Sequence, residues 1–339
     1  MKNFIPIILL ITLVATSCNT STHNYARVEG VMLGTNLRIV ADVECHPTEL
    51  YSEAMRLDKE FKAEMSLFDA TSYLSCINRG ESDSLTPGIK YLLRMSDSVS
   101  RVSGGAYDVT VAPLVKALGF GASQERVEHP NIDSILEVVG YNKISVEGNR
   151  LVRQDPRTQI DFNSIAKGYI VDRLAELTAQ MGATNYFVDI GGEIFCQGVN
   201  PNGEPWRIGI ETPFEGNMSN GDYLQKRISI PVESPLRAVA TSGNYRRFYL
   251  DESGRKVAHT IDPTTGESKL SSLLSVTVLA PTCALADAYG TMFMAVGASR
   301  AIALAEQIVD AEVYFIFADP TTDQYKEYLS EGMKEFILP

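Results

Sequence analysis

The chain has 339 residues, about twice an ordinary domain, which allows one large domain or two. With 45% hydrophobic and 21% charged residues it can bury a sizeable core, which excludes dominant disorder, a collagen-like fibre and a multi-span membrane protein. A net charge of −12 argues against a nucleic-acid partner, and an acidic chain that binds an anion needs helix ends, backbone N–H groups or a metal to do so.

The chain begins with Lys2 and an apolar run over residues 5–14, interrupted by Pro6 and Thr12. The run is too short to span a bilayer stably and reads as a cleaved export signal. Ala15, Thr16 and Ser17 then precede Cys18. That order resembles the lipobox of bacterial lipoproteins, in which the cysteine is lipidated and becomes the mature N-terminus. Ala15 stands where the pattern usually has Leu. The alternative is a plain secretory signal in which Cys18 is discarded. The lipobox resemblance implies a signal over residues 1–17, a Thr/Ser-rich tether over 18–27 and a domain over 28–339. It also implies an exported bacterial lipoprotein, anchored by its lipid on the periplasmic side of the inner membrane. Cys45, Cys76, Cys196 and Cys283 remain. They contain no CxxC and no zinc spacing, so partly buried apolar roles are preferred, with one disulfide left open.

Along the rest of the chain, residues 31–43 read as one strand with a local break at Gly34. Residues 49–65 have helical spacing, through Leu50, Ala54, Leu57, Phe61 and Met65. Residues 87–103 form a second helix closed by Gly104–Gly105, and 109–118 and 131–139 form two shorter ones. Residues 143–146, 150–153 and 158–162 are short strands, and 164–181 is a helix that ends at Gly182. Strands follow at 186–190, 193–199, 206–211, 226–232, 238–241 and 273–279. Helices at 282–296 and 299–307 and strands at 313–317 and 325–329 complete the chain. The irregular alternation favours an α+β fold over a doubly wound parallel sheet. Residues 214–225 read as a surface loop.

Familiar catalytic templates are absent: no GxSxG, GxxxxGK[ST], HExxH or GxGxxG after a strand. The four histidines, His23, His46, His129 and His259, are too few for a multi-histidine metal site. Three segments carry chemistry instead. In Ile160-Asp161-Phe162-Asn163-Ser164-Ile165-Ala166-Lys167-Gly168-Tyr169 a strand gives way to a helix capped by Asn163 or Ser164, with Lys167 in its first turn. Such an N-terminus suits a phosphate, although taken alone the segment favours a plain cap with a solvated lysine. In His259-Thr260-Ile261-Asp262-Pro263-Thr264-Thr265-Gly266 a histidine precedes a turn, placed for acid–base work or for a structural role. In Ala286-Asp287-Ala288-Tyr289-Gly290-Thr291 a carboxylate and a hydroxyl four residues apart share one face of an apolar helix. That pair suits a hard cation such as Mg²⁺. A favourable helix dipole alone would explain Asp287, but neither Thr291 nor Gly290 in mid-helix.

These segments, in this order, resemble the ApbE family of FAD:protein FMN transferases, from about residue 31 to about 297. Further motifs are Leu33-Gly34-Thr35, Met65-Ser66-Leu67-Phe68 followed by Asn78, and Gly104-Gly105-Ala106-Tyr107-Asp108-Val109-Thr110. Asp161 through Asp172, Asp189-Ile190-Gly191-Gly192-Glu193, Thr241-Ser242-Gly243-Asn244-Tyr245 and Ser275-Val276-Thr277-Val278 complete the set. The resemblance implies a single large, T-fold-like α+β domain with mixed or antiparallel sheets and packed helices. It implies Mg²⁺-dependent transfer of FMN from FAD to a threonine or serine hydroxyl of an acceptor protein, with release of AMP. By resemblance Ser164, Asp287 and Thr291 match the metal positions, Ser164 through its carbonyl or its hydroxyl. Met32, Phe68, Ala106, Tyr107, Asp108, Asp161, Lys167 and Ile261 match the FAD-contacting positions. Leu33 stands where the family often has Met, so the Met32 position can shift by one. Phe68 replaces a frequent Tyr, which keeps the ring and loses the hydroxyl. His259, or a nearby carboxylate, is the candidate proton acceptor. The partners are FAD, an acceptor with a threonine-containing motif, and a membrane through the lipid, with no nucleic acid. Two alternatives are an FAD pyrophosphatase, which would use the same site on water to give FMN and AMP, and a flavin-binding lipoprotein without chemistry, against which Asp287, Thr291 and His259 argue.

Overall fold

A computed structural model describes residues 24–121, 127, 129–214, 223–243, 248–250, 256–258, 260–268, 271–319, 321–322 and 324–339. In chain order the first elements are β1 (Ala26–Met32), β2 (Thr35–Ala41), α1 (Pro47–Met65), α2 (Tyr73–Asn78), α3 (Pro87–Ser103), α4 (Ala112–Ala117) and α5 (Ile132–Leu136). Next come β3 (Ile144–Glu147), β4 (Arg150–Arg153), α6 (Ala166–Gln180), β5 (Tyr186–Ile190), β6 (Glu193–Gln197), β7 (Trp206–Glu211) and β8 (Leu224–Ile230). The last are β9 (Ala238–Gly243), β10 (Phe248–Leu250), β11 (Lys256–Ala258), β12 (Leu273–Ala280), α7 (Cys283–Val296), α8 (Ala298–Ala305), β13 (Glu312–Ala318) and β14 (Tyr325–Leu329).

Eight strands make one sheet in the order β1-β2-β5-β6-β9-β12-β13-β14, and every pairing in it is antiparallel. Period-2 alternation decides the two faces. Leu37 and Ile39 of β2, Val188 and Ile190 of β5, and Val276 and Val278 of β12 join the main core with α1, α3, α6 and α7. Val40, Phe187 and Leu279, one residue out of phase, join a second core with Trp206, Ile208 and Ile228 of the β7–β8 hairpin. Strand β12 is covered on both sides, which is why its sequence reads as an unbroken apolar run. Helix α7 is apolar on every side and buried along nearly its whole length, sandwiched between β9, β12 and α6.

The α+β class stands, and most elements lie where the sequence places them. Three readings are corrected. Residues 31–43 are not one strand: β1 and β2 form a hairpin whose tip is Leu33 (φ 51°) and Gly34 (φ 75°). A two-residue turn with positive φ at both positions matches the twist of the strands, and leucine is an unusual occupant of it. Residues 158–162 form no strand, and only Gln159 pairs, in an isolated parallel bridge to Val111. The Asn78 side chain takes the neighbour's place: Nδ2 donates to the Ile160 carbonyl and Oδ1 accepts the Ile160 N–H, both at 2.8 Å. Third, helix α6 starts at Ala166 rather than at residue 164, and neither Asn163 nor Ser164 caps it. Helix α2 and strands β10 and β11 have no counterpart in the sequence reading. Gly290 is explained by packing, since a Cβ there would lie 2.7 Å from Ser242 Oγ on β9.

Candidate active site

Asp287 is 5% exposed inside α7, and an unpaired carboxylate there would be costly. Its Oδ2 accepts the Gly168 N–H at the start of α6, at 2.9 Å. Burial pushes the carboxyl up to about 6, against the pull of the Lys167 ammonium and the Gly168 N–H. Its Oδ1 accepts no hydrogen bond from a described residue. Thr291, one turn later on the same face and half-buried, also keeps its hydroxyl without a hydrogen bond among the described residues.

The Gly168 N–H is a diverted donor. In a helix running from Ser164 it would close on the Ser164 carbonyl. Because it turns to Asp287 instead, no described N–H bonds that carbonyl. The Ser164 hydroxyl is spent elsewhere, donating to the buried Tyr107 hydroxyl at 3.0 Å. Three oxygens are thus left open around the α6–α7 contact: the Ser164 carbonyl, Asp287 Oδ1 and Thr291 Oγ1. Among the described residues no three His, Cys, Asp or Glu gather as a metal cluster. A cation here would rest on one carboxylate and neutral oxygens, a donor set that fits Mg²⁺ with retained waters.

Lys167 stands beside this set. Its Nζ lies 2.5 Å from Oε2 of Glu193, the first residue of β6. Glu193 is 3% exposed, and burial pushes its carboxyl up to about 8 against the attraction of Lys167. Asp189, at the end of β5, accepts the Gly192 N–H at 2.9 Å and faces Arg38 at 3.4 Å. Burial raises its carboxyl as well. Asp172 of α6 takes the Cys283 and Ala284 N–H groups of α7, and burial raises it to about 7.

These buried acids give a pH prediction. Asp287, Asp172 and Glu193 sit at about 6, 7 and 8, above the ordinary values of 3.8 and 4.5. Each raised carboxyl favours the fold in its neutral form. Its contribution is complete below the ordinary value and is lost as pH rises through the raised one. The metal-free protein is therefore expected to unfold at a lower temperature at pH 8 than at pH 5.5. Circular-dichroism melts in chelator check this, and a higher midpoint at pH 8 would contradict it.

The remaining expected residues fall into two groups. Asp161 accepts the Asn163 N–H at 2.7 Å, and its own N–H donates to the Val109 carbonyl at 2.7 Å. Asp108 accepts both Thr110 donors at 2.7 Å and the Tyr141 N–H at 2.5 Å. These two acids, Tyr107 and Ser164 form one knot of loops before α6. Ala106 and Asp262 line a single cavity of about 340 Å³, reached also by Ser271, Ser272, Gly297 and Arg300. It brings the loop carrying Ala106 to the segment carrying Ile261, which is itself buried against Leu114 and Val139. Phe68 is 66% exposed beyond α1. Met32 exposes no surface, whereas Leu33 beside it at the hairpin tip is half-buried. His259 and Cys18 lie outside the described residues, as do Asn244 and Tyr245 of the Thr241–Tyr245 motif. Sequence reasoning gave no role to Glu193 or Asp172; an acid in an otherwise apolar strand start and a helical acid one turn after a glycine were the available signals.

Carboxyls shifted by burial, a charged lysine and open oxygens gathered at one helix start define an α+β protein with an enzyme-type site. The chain belongs to the ApbE family, whose sequence profile matches residues 33–315. It is 34% identical over 294 residues to the FAD:protein FMN transferase of Vibrio cholerae, covering 85% of this chain and 84% of that one. It is 31% identical over 273 residues to the FAD:protein FMN transferase of Escherichia coli, covering 76% and 74%. Among solved structures, the flavin transferase ApbE from Vibrio cholerae superposes with a TM-score of 0.80 at 31% identity, over 92% of this chain and 99% of that one. The apo flavinyl transferase ApbE of Pseudomonas stutzeri gives 0.80 at 26% identity, over 92% and 96%.

Proposed function

We propose that this protein is an FAD:protein FMN transferase that works with Mg²⁺ and moves FMN from FAD to a threonine or serine hydroxyl of an acceptor protein. The observation that carries the reading is the open oxygen set at the α6–α7 contact beside Lys167, in a chain whose relatives bear that name. The acceptor oxygen bonds to the FMN phosphorus, the bond from that phosphorus to the bridging oxygen breaks, and AMP leaves with that oxygen. Such transfer is chiefly positioning and neutralisation of charge. Asp287, Thr291 and the Ser164 carbonyl would hold Mg²⁺, and the ion would supply positive charge against the pyrophosphate. Lys167 offsets further charge, and its own backbone N–H, which donates to no described residue, adds a donor at the positive end of α6. Phe68, Ala106, Tyr107, Asp108, Asp161, Ile261 and the hairpin tip at Met32–Leu33 hold FAD. His259 takes the hydroxyl proton.

Incubation with FAD, Mg²⁺ and an acceptor carrying a threonine motif is expected to put flavin fluorescence on the acceptor in a denaturing gel, and EDTA to remove it. Free FMN without a fluorescent band would replace the transferase with a pyrophosphatase. Intact FAD would leave only a flavin binder. Full transfer in EDTA would overturn the metal assignment.

The N-terminus supports export and lipidation at Cys18, with the domain tethered at the periplasmic side of the inner membrane. Among the described residues no helix is long and apolar enough to cross a membrane. Cells fed labelled palmitate are expected to label the wild-type chain and not Cys18→Ser. Equal labelling of both would remove the lipid anchor.

A further inference from the structure

We infer that Asp172 is a positioning residue for the metal-binding face of α7; the inference rests on the function proposed above. Asp287 and Thr291 stand on α7, but the phase of that helix is fixed by α6. One Asp172 oxygen, Oδ1, accepts the Cys283 N–H at 2.6 Å, and the other, Oδ2, accepts the Ala284 N–H at 2.9 Å. Thr282 takes the next donor, Leu285 N–H, at 3.3 Å. In return Asp287 of α7 takes the Gly168 N–H of α6. Each helix caps the other. The two halves match in register: Asp172 lies four residues after Gly168, and Asp287 lies four after Cys283. At the centre of this local two-fold arrangement Gly168 is pressed against Cys283, where a Cβ would sit 2.2 Å from the Cys283 oxygen.

The consequence is geometric. Helix α7 cannot slide or rotate on α6 without breaking the hydrogen bonds from helix-terminal N–H groups to the Asp172 and Asp287 carboxyls, which would leave buried donors without a partner. The same bonds therefore decide where Asp287 Oδ1 and Thr291 Oγ1 point relative to the Ser164 carbonyl. Both Asp172 oxygens are engaged at the start of α7. Groups that orient metal ligands in this indirect way typically change metal affinity by about 10–100-fold when removed.

The test is a Mn²⁺ titration of the metal-free protein followed by electron paramagnetic resonance of free Mn²⁺, with a thermal melt of each variant. Asp172→Ala is expected to raise half-saturating Mn²⁺ at least about tenfold. Asp172→Asn, which keeps one acceptor oxygen, is expected to give a smaller rise. Thr178→Ala removes a buried hydroxyl that donates to the Leu174 carbonyl nearer the far end of α6, and serves as the control for stability alone. It is expected to melt earlier and bind Mn²⁺ as wild type does. Wild-type half-saturation in folded Asp172→Ala overturns the inference. If that variant does not fold, wild-type half-saturation in Asp172→Asn does so. Asp287→Asn in the same series separates the two layers. Its loss of Mn²⁺ binding upholds the site while Asp172 is judged, and its unchanged binding, or no binding by wild type, overturns the metal reading and the inference with it.

Discussion

Asp287→Asn is expected to lower flavin transfer by roughly 10³-fold, the scale on which removal of a dominant charge-stabilising group acts in phosphoryl and acyl transfer. The same substitution is expected to leave the fold intact. Asparagine keeps an oxygen for the Gly168 N–H, now 2.9 Å from Asp287, and fills the same space. It also removes a carboxyl whose burial has pushed it up to about 6, so the metal-free variant gains by not having to bury a charge near neutral pH. The thermal midpoint in EDTA is therefore expected to equal or exceed that of wild type at pH 8. Lost activity with undiminished stability is the signature of a ligand rather than a scaffold residue. Transfer within tenfold of wild type at saturating Mg²⁺ would move the metal away from Asp287. Asp287→Ala is the less informative variant, because it also strips the cap from α6.

How much of this was legible in sequence depends on how far apart the partners lie. The face shared by Asp287 and Thr291 needed only helical period, and α7 delivers it. The apolar run at β12, the helix at α3 and the glycine stop after it were equally local. What failed was set by contacts across the chain. The segment around Ile160 has a strand's composition, but Asn78, more than eighty residues away, satisfies its backbone with an amide side chain. The start of α6 could not be placed because its cap is not a neighbouring Asn or Ser but Asp287, 119 residues on. That same contact leaves the Ser164 carbonyl open, so the question of carbonyl or hydroxyl could be approached only once the fold was known. The family motifs marked most of the site residues without saying which of them touch. Glu193 sat inside a quoted motif, yet its pairing with Lys167 follows from β6 passing the α6 terminus. Gly290 carries the opposite lesson: it looked like part of the chemistry and is a packing residue against Ser242.

Gly168→Ala sets two physical effects against each other, and its sign tests the crossing of α6 and α7. On intrinsic propensity alone, alanine inside a helix should stabilise by about 1 kcal/mol relative to glycine. At this position the added Cβ would lie 2.2 Å from the Cys283 oxygen, 2.5 Å from its carbonyl carbon and 2.7 Å from the Ala284 nitrogen. All three are backbone atoms, so no rotamer change relieves the clash and α7 must move away from α6. That movement breaks the tight contact between Gly168 and Asp287 and the two bonds that Asp172 makes. Overpacking of this kind destabilises by about 1–3 kcal/mol, enough to reverse the propensity gain. Activity is expected to fall further than stability does. A displacement of about 1 Å among positioned groups costs about 10²-fold in rate, and here the displaced groups include the Ser164 carbonyl, Asp287 and Thr291. Gly290→Ala supplies the comparison, since its Cβ would meet the Ser242 side-chain oxygen at 2.7 Å, and a hydroxyl can rotate aside. Melting curves and transfer assays on the two variants are expected to diverge, with Gly168→Ala losing both midpoint and rate and Gly290→Ala losing little of either. A Gly168→Ala protein that melts above wild type and transfers FMN normally would mean that the two helices do not meet at Gly168, and the reciprocal caps would fall with that contact.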